Sequence, residues 1–391
     1  AQREDGFGSC DLYISYKEGE DWSEPMNLGA NVNSSAWDSQ PSLSADGRTL
    51  YFISNRGGGI GQRDIWITTQ NDDNVWSKPE NLGSRINSTD DEVSPFIHPN
   101  NQTLYFASNG RKGFGGFDIY YSNKENARWS APENLGFPIN TGDDQVSLFI
   151  TADGKRGYYS HENLGNTEVK GLIYEFDFPK ELQVANKASF VKGKVYDAKT
   201  KGPLKSKIEL YDLVNDERIS LVSSDSVSGD YLMVLPEGSE YALYVNRSGY
   251  LFKSLYFDYK SDSAGSLHID IPLNEISVGI KTTLENIFFD FDKYELKPAS
   301  KTELNKIVQF LKFNPNIKIE IAGYTDNQGA YDYNMALSKN RAQAVYDYLI
   351  ENNIPSEQVI YKGYGPADPI ATNENEVGKA KNRRIEFRVI K

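Results

Sequence analysis

At 391 residues the chain is longer than one compact core usually allows, and two to four domains are expected. Hydrophobic residues make up 38%, mean hydropathy is −0.58, and no apolar run approaches the roughly 18 residues that a membrane-spanning helix needs. A single cysteine, Cys10, excludes an intramolecular disulfide and a thiolate zinc cage. The three histidines, His98, His161 and His268, form no recognisable ligand motif, so no metal, cofactor or catalytic centre is expected. The net charge of −13 is uneven: from Ser277 onward 16 Lys and Arg face 15 Asp and Glu, which leaves −14 on the first 276 residues. Such an acidic front does not attract nucleic acid or an anionic membrane, and it suits a soluble secreted or periplasmic protein.

The start, Ala1–Asp5, lacks the basic and apolar segments of a signal peptide, so an exported protein would be present here in a mature or trimmed form. The front of the chain then repeats itself. Trp22-Ser23-Glu24-Pro25-Met26-Asn27-Leu28-Gly29 recurs as Trp76-Ser77-Lys78-Pro79-Glu80-Asn81-Leu82-Gly83 and as Trp129-Ser130-Ala131-Pro132-Glu133-Asn134-Leu135-Gly136, at spacings of 54 and 53. Each unit continues with an Asn (Asn33, Asn87, Asn140), an acidic stretch and a strand-like run such as Thr49–Ser54; Asp64-Ile65-Trp66 and Asp118-Ile119-Tyr120 close the first two. Alternating apolar positions between Gly- and Asn-rich turns predict short antiparallel strands, and a unit of about 40–50 residues with four of them is a propeller blade. The run Ser44–Phe52 resembles the WD-like repeats of the TolB-type family, which implies propeller-like repeats over residues 1–180. Gly8–Tyr13 lines up with Gly61–Trp66, so the chain opens in mid-repeat, sequence is expected upstream, and Cys10 reads as a strand residue, not a lipid-modified terminus. Asp38, Glu92 and Gln145 occupy matching positions, as do Trp37, Asp91 and Asp144. Calcium coordination is one reading of the acidic loops, turn chemistry the simpler one.

After Phe178-Pro179-Lys180 the pattern changes. Phe190–Asp197, Ile208–Tyr211, Ser228–Tyr231 and Tyr241–Val245 alternate as strands at about ten-residue spacing, and residues 186–275 are expected to form a β-sandwich. Their succession of Gly, Pro and Tyr signals resembles the carboxypeptidase regulatory-like domain, which implies a spacer or docking module without peptidase activity. Residues 274–284 read as a linker.

The last domain, 284–391, switches to alternating strands and helices. A strand at Ile287–Phe289 precedes a helix at Pro298–Lys312 with Leu304, Ile307, Val308 and Leu311 on one stripe. A strand at Ile317–Ile321 precedes a second helix at Asn334–Glu351 with Leu337, Ala344, Val345, Tyr348 and Leu349 inward. Strands at Val359–Tyr361 and Ile385–Val389 follow. Four motifs then occur in order: Phe289-Asp290-Phe291-Asp292-Lys293-Tyr294, Gly323-Tyr324-Thr325-Asp326-Asn327-Gln328-Gly329, the set Tyr333, Asn334, Leu337, Ser338, Arg341 and Ala342, and Asn382-Arg383-Arg384-Ile385-Glu386. Together they resemble the OmpA-like, peptidoglycan-associated family, with Tyr324 standing where that family usually has His.

This resemblance implies a ligand, the diaminopimelate stem peptide of peptidoglycan, and a site. Its ammonium requires a fixed carboxylate and its carboxylate a guanidinium, through charge-assisted bonds. The resemblance carries those roles onto Asp326, Asn334 and Arg341, with backbone around Phe291 and Asp292 completing the pocket and Thr325, Leu337 and Arg384 lining or supporting it. Taken singly, an Asp-Asn turn is usually a turn and a helical Arg is usually solvated; Asp326 and Arg341 could also pair with each other, and Arg383 and Arg384 could be a strand-start pair. The whole chain is thus expected as a multidomain protein, all-β propeller-like repeats followed by a β-sandwich and an α+β OmpA-like domain. The expected function is a non-catalytic envelope adaptor in the periplasm at the outer membrane, which holds the wall through its end and a protein complex through its β domains. The domain combination resembles proteins of Bacteroidota, including a wall-anchoring component of the type IX secretion and gliding apparatus. The alternatives are a carbohydrate-active or peptidase enzyme with its site in the propeller, for which no nucleophile elbow or zinc motif is present, and a stator-like anchor, which would need a membrane helix.

Overall fold

The β-branched and aromatic runs of the front repeats pair as antiparallel strands in a computed structural model that describes residues 3–125, 127–162, 172–184, 186–260 and 265–391. Ala1 and Gln2, part of the leader reading, and residues 163–171, through which the third repeat runs, lie outside the described residues. The chain divides into two compact units. The first holds Ala1–Lys192 with Leu232–Gly238 and Asp262–His268; the second holds Gly193–Tyr231, Ser239–Ser261 and Ile269–Lys391.

In the first unit, Asp38–Leu43, Thr49–Ser54, Asp64–Thr69 and Glu80–Asn81 form one sheet in chain order. Glu92–Ile97, Thr103–Ser108 and Asp118–Glu125, with Arg128–Trp129 and Glu133–Asn134 against the last of them, form a second. Asp144–Ile150, Arg156–Glu162 and Leu172–Asp177 form a third. The sheets bury apolar side chains in succession: Tyr51, Ile53 and Ile65 share a cluster with Ile97, Leu104 and Phe106, and Tyr105 and Ile119 share one with Leu148, Ile150 and Tyr159.

The repeated motif has a structural task. Asn87 lies buried; its Oδ1 accepts from Ile65 N (2.8 Å) and its Nδ2 donates to Ile65 O (3.1 Å), so one side chain imitates a paired strand. Asn33 does the same to Leu12 and Asn140 to Ile119, and each is steadied by the motif Asn ahead of it: Asn27, Asn81 or Asn134. The matched acidic positions close turns. Asp38 accepts from Ser34 N and pairs with Arg56 at 2.5 Å, Glu92 accepts from Ser88 N and Ser108 Oγ, and Gln145 Oε1 accepts from Thr141 N.

In the middle of the chain, Ala188–Asp197 lies beside Asp230–Pro236 on one side and Leu267–His268 and Ile271–Leu273 on the other. A second sheet runs in the order Glu217–Ser223, Lys207–Asp212, Glu240–Asn246, Lys253–Asp258.

The C-terminal elements are β1 (Lys281–Thr283), α1 (Lys301–Phe313), β2 (Ile319–Gly323), α2 (Tyr331–Glu351), β3 (Val359–Gly363), α3 (Glu376–Asn382) and β4 (Ile385–Val389). The sheet order is β1-β4-β2-β3, with β2 and β3 parallel across the α2 connection and β4 antiparallel to both its neighbours. Three details differ from the sequence reading. Residues 281–283, inside the expected linker, form an edge strand because β4 offers them an unpaired side. The expected strand at Ile287–Phe289 is reduced to a bridge between Phe289 and Leu296. Its backbone is spent elsewhere, Phe288 N donating to Ser300 Oγ and Phe288 O accepting from Lys297 N. Helix α3 was not expected.

Two glycines set α2 close to the sheet. A Cβ on Gly323 would lie 2.1 Å from the Ser338 carbonyl, and one on Gly363 would lie 2.4 Å from Lys339 N. Both strands end where the backbone of α2 leaves no room for a side chain, which fixes the helix that carries Asn334 and Arg341.

Helix α1 is buried on two sides. Leu304, Ile307, Val308 and Leu311 face the C-terminal core, and that core is continuous with Leu213, Ala242, Tyr244, Leu251 and Phe252 of the middle region. Polar groups are buried with them. Lys306 Nζ pairs with Glu209 at 2.6 Å, with the rings of Tyr211 and Tyr244 around the ammonium. Glu303, fully buried, accepts from Ser254 Oγ (2.7 Å) and Asn286 Nδ2 (2.8 Å) and has no cation beside it among the described residues. Burial pushes the Glu303 carboxyl up to about 7, so the folded protein holds a proton that the unfolded chain releases at lower pH.

Two predictions follow from this joint. Glu209→Ala leaves the buried Lys306 without its carboxylate and should cost about 3–5 kcal/mol in urea denaturation. For Glu303 the stability contribution is present below the ordinary glutamate range and is lost as the pH rises through about 7. Comparison of wild type with Glu303→Gln from pH 4 to 8 should therefore give a difference in unfolding free energy that shifts by about 3 kcal/mol in favour of the variant.

Candidate functional site

The loop after β2 carries Thr325 and Asp326 and is tied at every step. Thr325 N donates to Gly365 O (2.8 Å), Gln328 N to Asp326 Oδ1 (3.0 Å), and Asn334 Nδ2 to Gln328 O (2.7 Å). Thr325, Asp326, Asn334 and Arg341 are all buried, and Leu337 is half-buried between Asn334 and Arg341 on α2.

Arg341 donates through Nε to the Lys293 carbonyl (2.9 Å) and through Nη2 to the Asp290 carbonyl (3.4 Å), and its guanidinium lies 4.9 Å from the Phe289 ring. It thereby fastens the loop that presents Phe291 and Asp292. Among the described residues Arg341 has no ion-pair partner. Burial, and then the neighbouring Arg383, pull its pKa below the ordinary arginine value, while Asp292 and Asp326 act in the opposite direction; it stays charged. A buried guanidinium with no carboxylate is a costly arrangement unless an anion completes it.

Asp326 pairs not with Arg341 but with Arg383, whose Nη1 lies 2.6 Å from Asp326 Oδ2. Arg383 is 38% exposed at its side chain, and Glu376 of α3 lies 3.9 Å from the same nitrogen. An incoming ammonium can therefore share Asp326 with Arg383 or displace it towards Glu376. Asp292, at φ 61°, accepts a hydrogen bond from the Tyr333 hydroxyl.

Arg384 has a different task. It is buried, donates to Glu386 Oε1 (2.9 Å) and the Asp368 carbonyl (2.9 Å), and lies 3.8 Å over the Tyr324 ring, which stacks on Tyr364. Tyr324 is thus held by Arg384 and Tyr364, and its hydroxyl accepts from Arg388 Nη2 at 3.2 Å.

Asp326, Arg383 and Asp292 each lie within electrostatic range of Arg341, with Asn334 bracing the loop. Arg383 was absent from the site residues named from the sequence. Its adjacency to Arg384 was the available signal, because successive residues of an extended segment face opposite ways, one inward and one towards the ligand side.

Residues 288–383 match the OmpA family, and the C-terminal domain is a member of that family. The relatives include the probable lipoprotein YiaD of Escherichia coli, 41% identical over 102 residues that cover 26% of this chain and 47% of that protein. They also include outer membrane porin F of Pseudomonas fluorescens, 36% identical over 104 residues (27% of this chain, 32% of that protein). The peptidoglycan-associated lipoprotein of Pseudomonas putida is 36% identical over 105 residues (27% of this chain, 63% of that protein). The chain thus spans less than two thirds of each of these three relatives.

The two adjacent arginines should separate in a stability measurement. Arg384→Ala removes a buried cation from Glu386, which keeps Lys281 at 3.0 Å, and uncovers the Tyr324 ring, and should cost about 2 kcal/mol, whereas Arg383→Ala removes a partly exposed arginine and should cost about 1 kcal/mol in the same denaturation assay.

Proposed function

We propose that the C-terminal domain grips peptidoglycan through the diaminopimelate end of the stem peptide, and that the chain is a non-catalytic adaptor of the cell envelope. The observation that carries this reading is Arg341: a buried, charged guanidinium held in place by two carbonyls, without a carboxylate of its own, beside a fixed Asp326. A ligand carboxylate completes Arg341, and a ligand ammonium about one residue's width away meets Asp326. Arg341 can present further N–H groups for a planar, charge-assisted contact. Asn334 keeps the Asp326 loop closed on α2. Arg383 holds Asp326 oriented until the ammonium arrives.

The relatives support the same setting. They carry outer-membrane and peptidoglycan-associated names, and the domain works in the periplasm in association with the outer membrane. The repeats ahead of it, with blade-like sheets over 1–180, and the sandwich over 186–275 serve as the face for an outer-membrane or periplasmic protein complex. Type IX secretion or gliding machinery is the finer candidate, on the domain combination. The acidic charge of the first 276 residues favours a protein partner over nucleic acid.

The test is co-sedimentation with purified diaminopimelate-type sacculi. Arg341→Ala and Asp326→Ala should each weaken binding roughly 10- to 100-fold, the loss expected for a charge-assisted contact, with the circular dichroism spectrum unchanged. Undiminished binding by both variants would overturn the assignment.

A further inference from the structure

Phe291 is 94% exposed and sits in a loop that is fastened far more firmly than a solvent-exposed turn requires. Lys293 N donates to the Asp290 carbonyl, which makes Phe291 and Asp292 the two central residues of a tight turn. Asp292 there adopts φ 61°, a region that glycine or asparagine fills more cheaply. Arg341 holds the carbonyls at both ends of the turn, Lys297 and Lys293 hold the Asp290 carboxylate from outside, and the Tyr333 hydroxyl holds the Asp292 carboxylate. The Tyr333 ring is itself about half exposed. The turn therefore presents the Phe291 ring from a fastened backbone next to Asp292, whose carboxylate holds the Tyr333 hydroxyl, and nothing among the described residues covers the Phe291 ring.

From this geometry we infer that Phe291 and Tyr333 form a carbohydrate-stacking subsite. It takes an amino-sugar ring of the glycan strand to which the stem peptide is joined. The inference rests on the peptide reading of Arg341 and Asp326 and extends it to the sugar.

Three features select a sugar as the occupant. The subsite is continuous with the clamp, because Arg341 both faces the ligand and pins the turn that presents Phe291. The rings stand among charged groups, Asp290, Asp292, Lys293 and Lys297, which suit the hydroxyl-bearing edge of a pyranose and not an apolar lipid or protein patch. A pyranose also has an apolar C–H face of about the size of one aromatic ring, and an exposed aromatic carried on a fastened backbone turn offers such a face a partner with few torsions left to order. Contact with the sugar as well as the peptide would let the domain distinguish intact wall from free stem peptide.

The experiment measures binding of the full chain to two soluble probes, a diaminopimelate tetrapeptide without sugar and the same tetrapeptide on its N-acetylglucosaminyl-N-acetylmuramyl disaccharide. Wild type should bind the disaccharide form about tenfold more tightly. Phe291→Ala should reduce that ratio to near one, each variant being scored by its own ratio of the two affinities, and Phe291→Trp should restore it. Because the Phe291 ring is almost wholly exposed, these substitutions leave the fold in place, which the melting temperature checks. Equal affinity of wild type for the two probes, or a ratio that survives Phe291→Ala, overturns the sugar subsite while leaving the clamp standing. Failure of both probes to bind, or binding indifferent to Arg341→Ala, overturns the clamp and the subsite with it.

Discussion

The buried joint at helix α1 is the constraint on which the second unit rests. A helix with one apolar stripe needs one surface to cover it, but α1 also buries a lysine and a glutamate on the side away from its own sheet. Those groups are tolerable only because the middle sheet supplies Glu209 for Lys306 and the Ser254 hydroxyl for Glu303, which also accepts from Asn286. The middle region is therefore not a spacer hung on a flexible tether. Tyr244, Phe252 and Leu251 are as much part of the C-terminal core as Ile307 and Leu311. Glu303, with no cation beside it among the described residues, makes this joint lose stability as the pH rises towards 7.

The site around Arg341 and Asp326 is built on the same core. Gly323 and Gly363 let α2 lie against two parallel strands, and this contact sets the depth at which Arg341 is buried. From there the guanidinium reaches back to two carbonyls of a sequence-distant turn, so two of the four motifs meet around one side chain, and Asn334 ties in the Gly323–Gly329 motif through Gln328. The fourth meets them through Arg383 and Asp326. Arg384, one residue on, has the opposite orientation and the opposite character, a buried structural cation against Glu386 and Tyr324.

How much of this was legible in advance follows the range of each interaction. The apolar stripe of α1 and the strands β2, β3 and β4 were readable to within a few residues, because periodicity is a local property. The strand at Lys281–Thr283 was not, since three residues of Lys and Thr carry no pattern and acquire a strand only from the free edge of β4. The burial of Lys306 and Glu303 was invisible for the same reason: both read as solvated helix charges until a partner nearly 50 to 100 residues away is brought up to them. At the site, the motifs named Asp326, Asn334 and Arg341, but pairing cannot be read from composition. That Asp326 is held by Arg383, and that Arg341 is left without a carboxylate, depends on which way each side chain faces.

The buried asparagines of the repeats carry one further implication. Each of Asn33, Asn87 and Asn140 completes the hydrogen bonds of a strand that precedes its own sheet, so the seam between neighbouring units is sewn by a side chain and a main chain that every copy brings with it. A tandem duplication would inherit both halves of that seam in working order. The number of units in such an array could then rise or fall by whole copies without any new interface having to be invented.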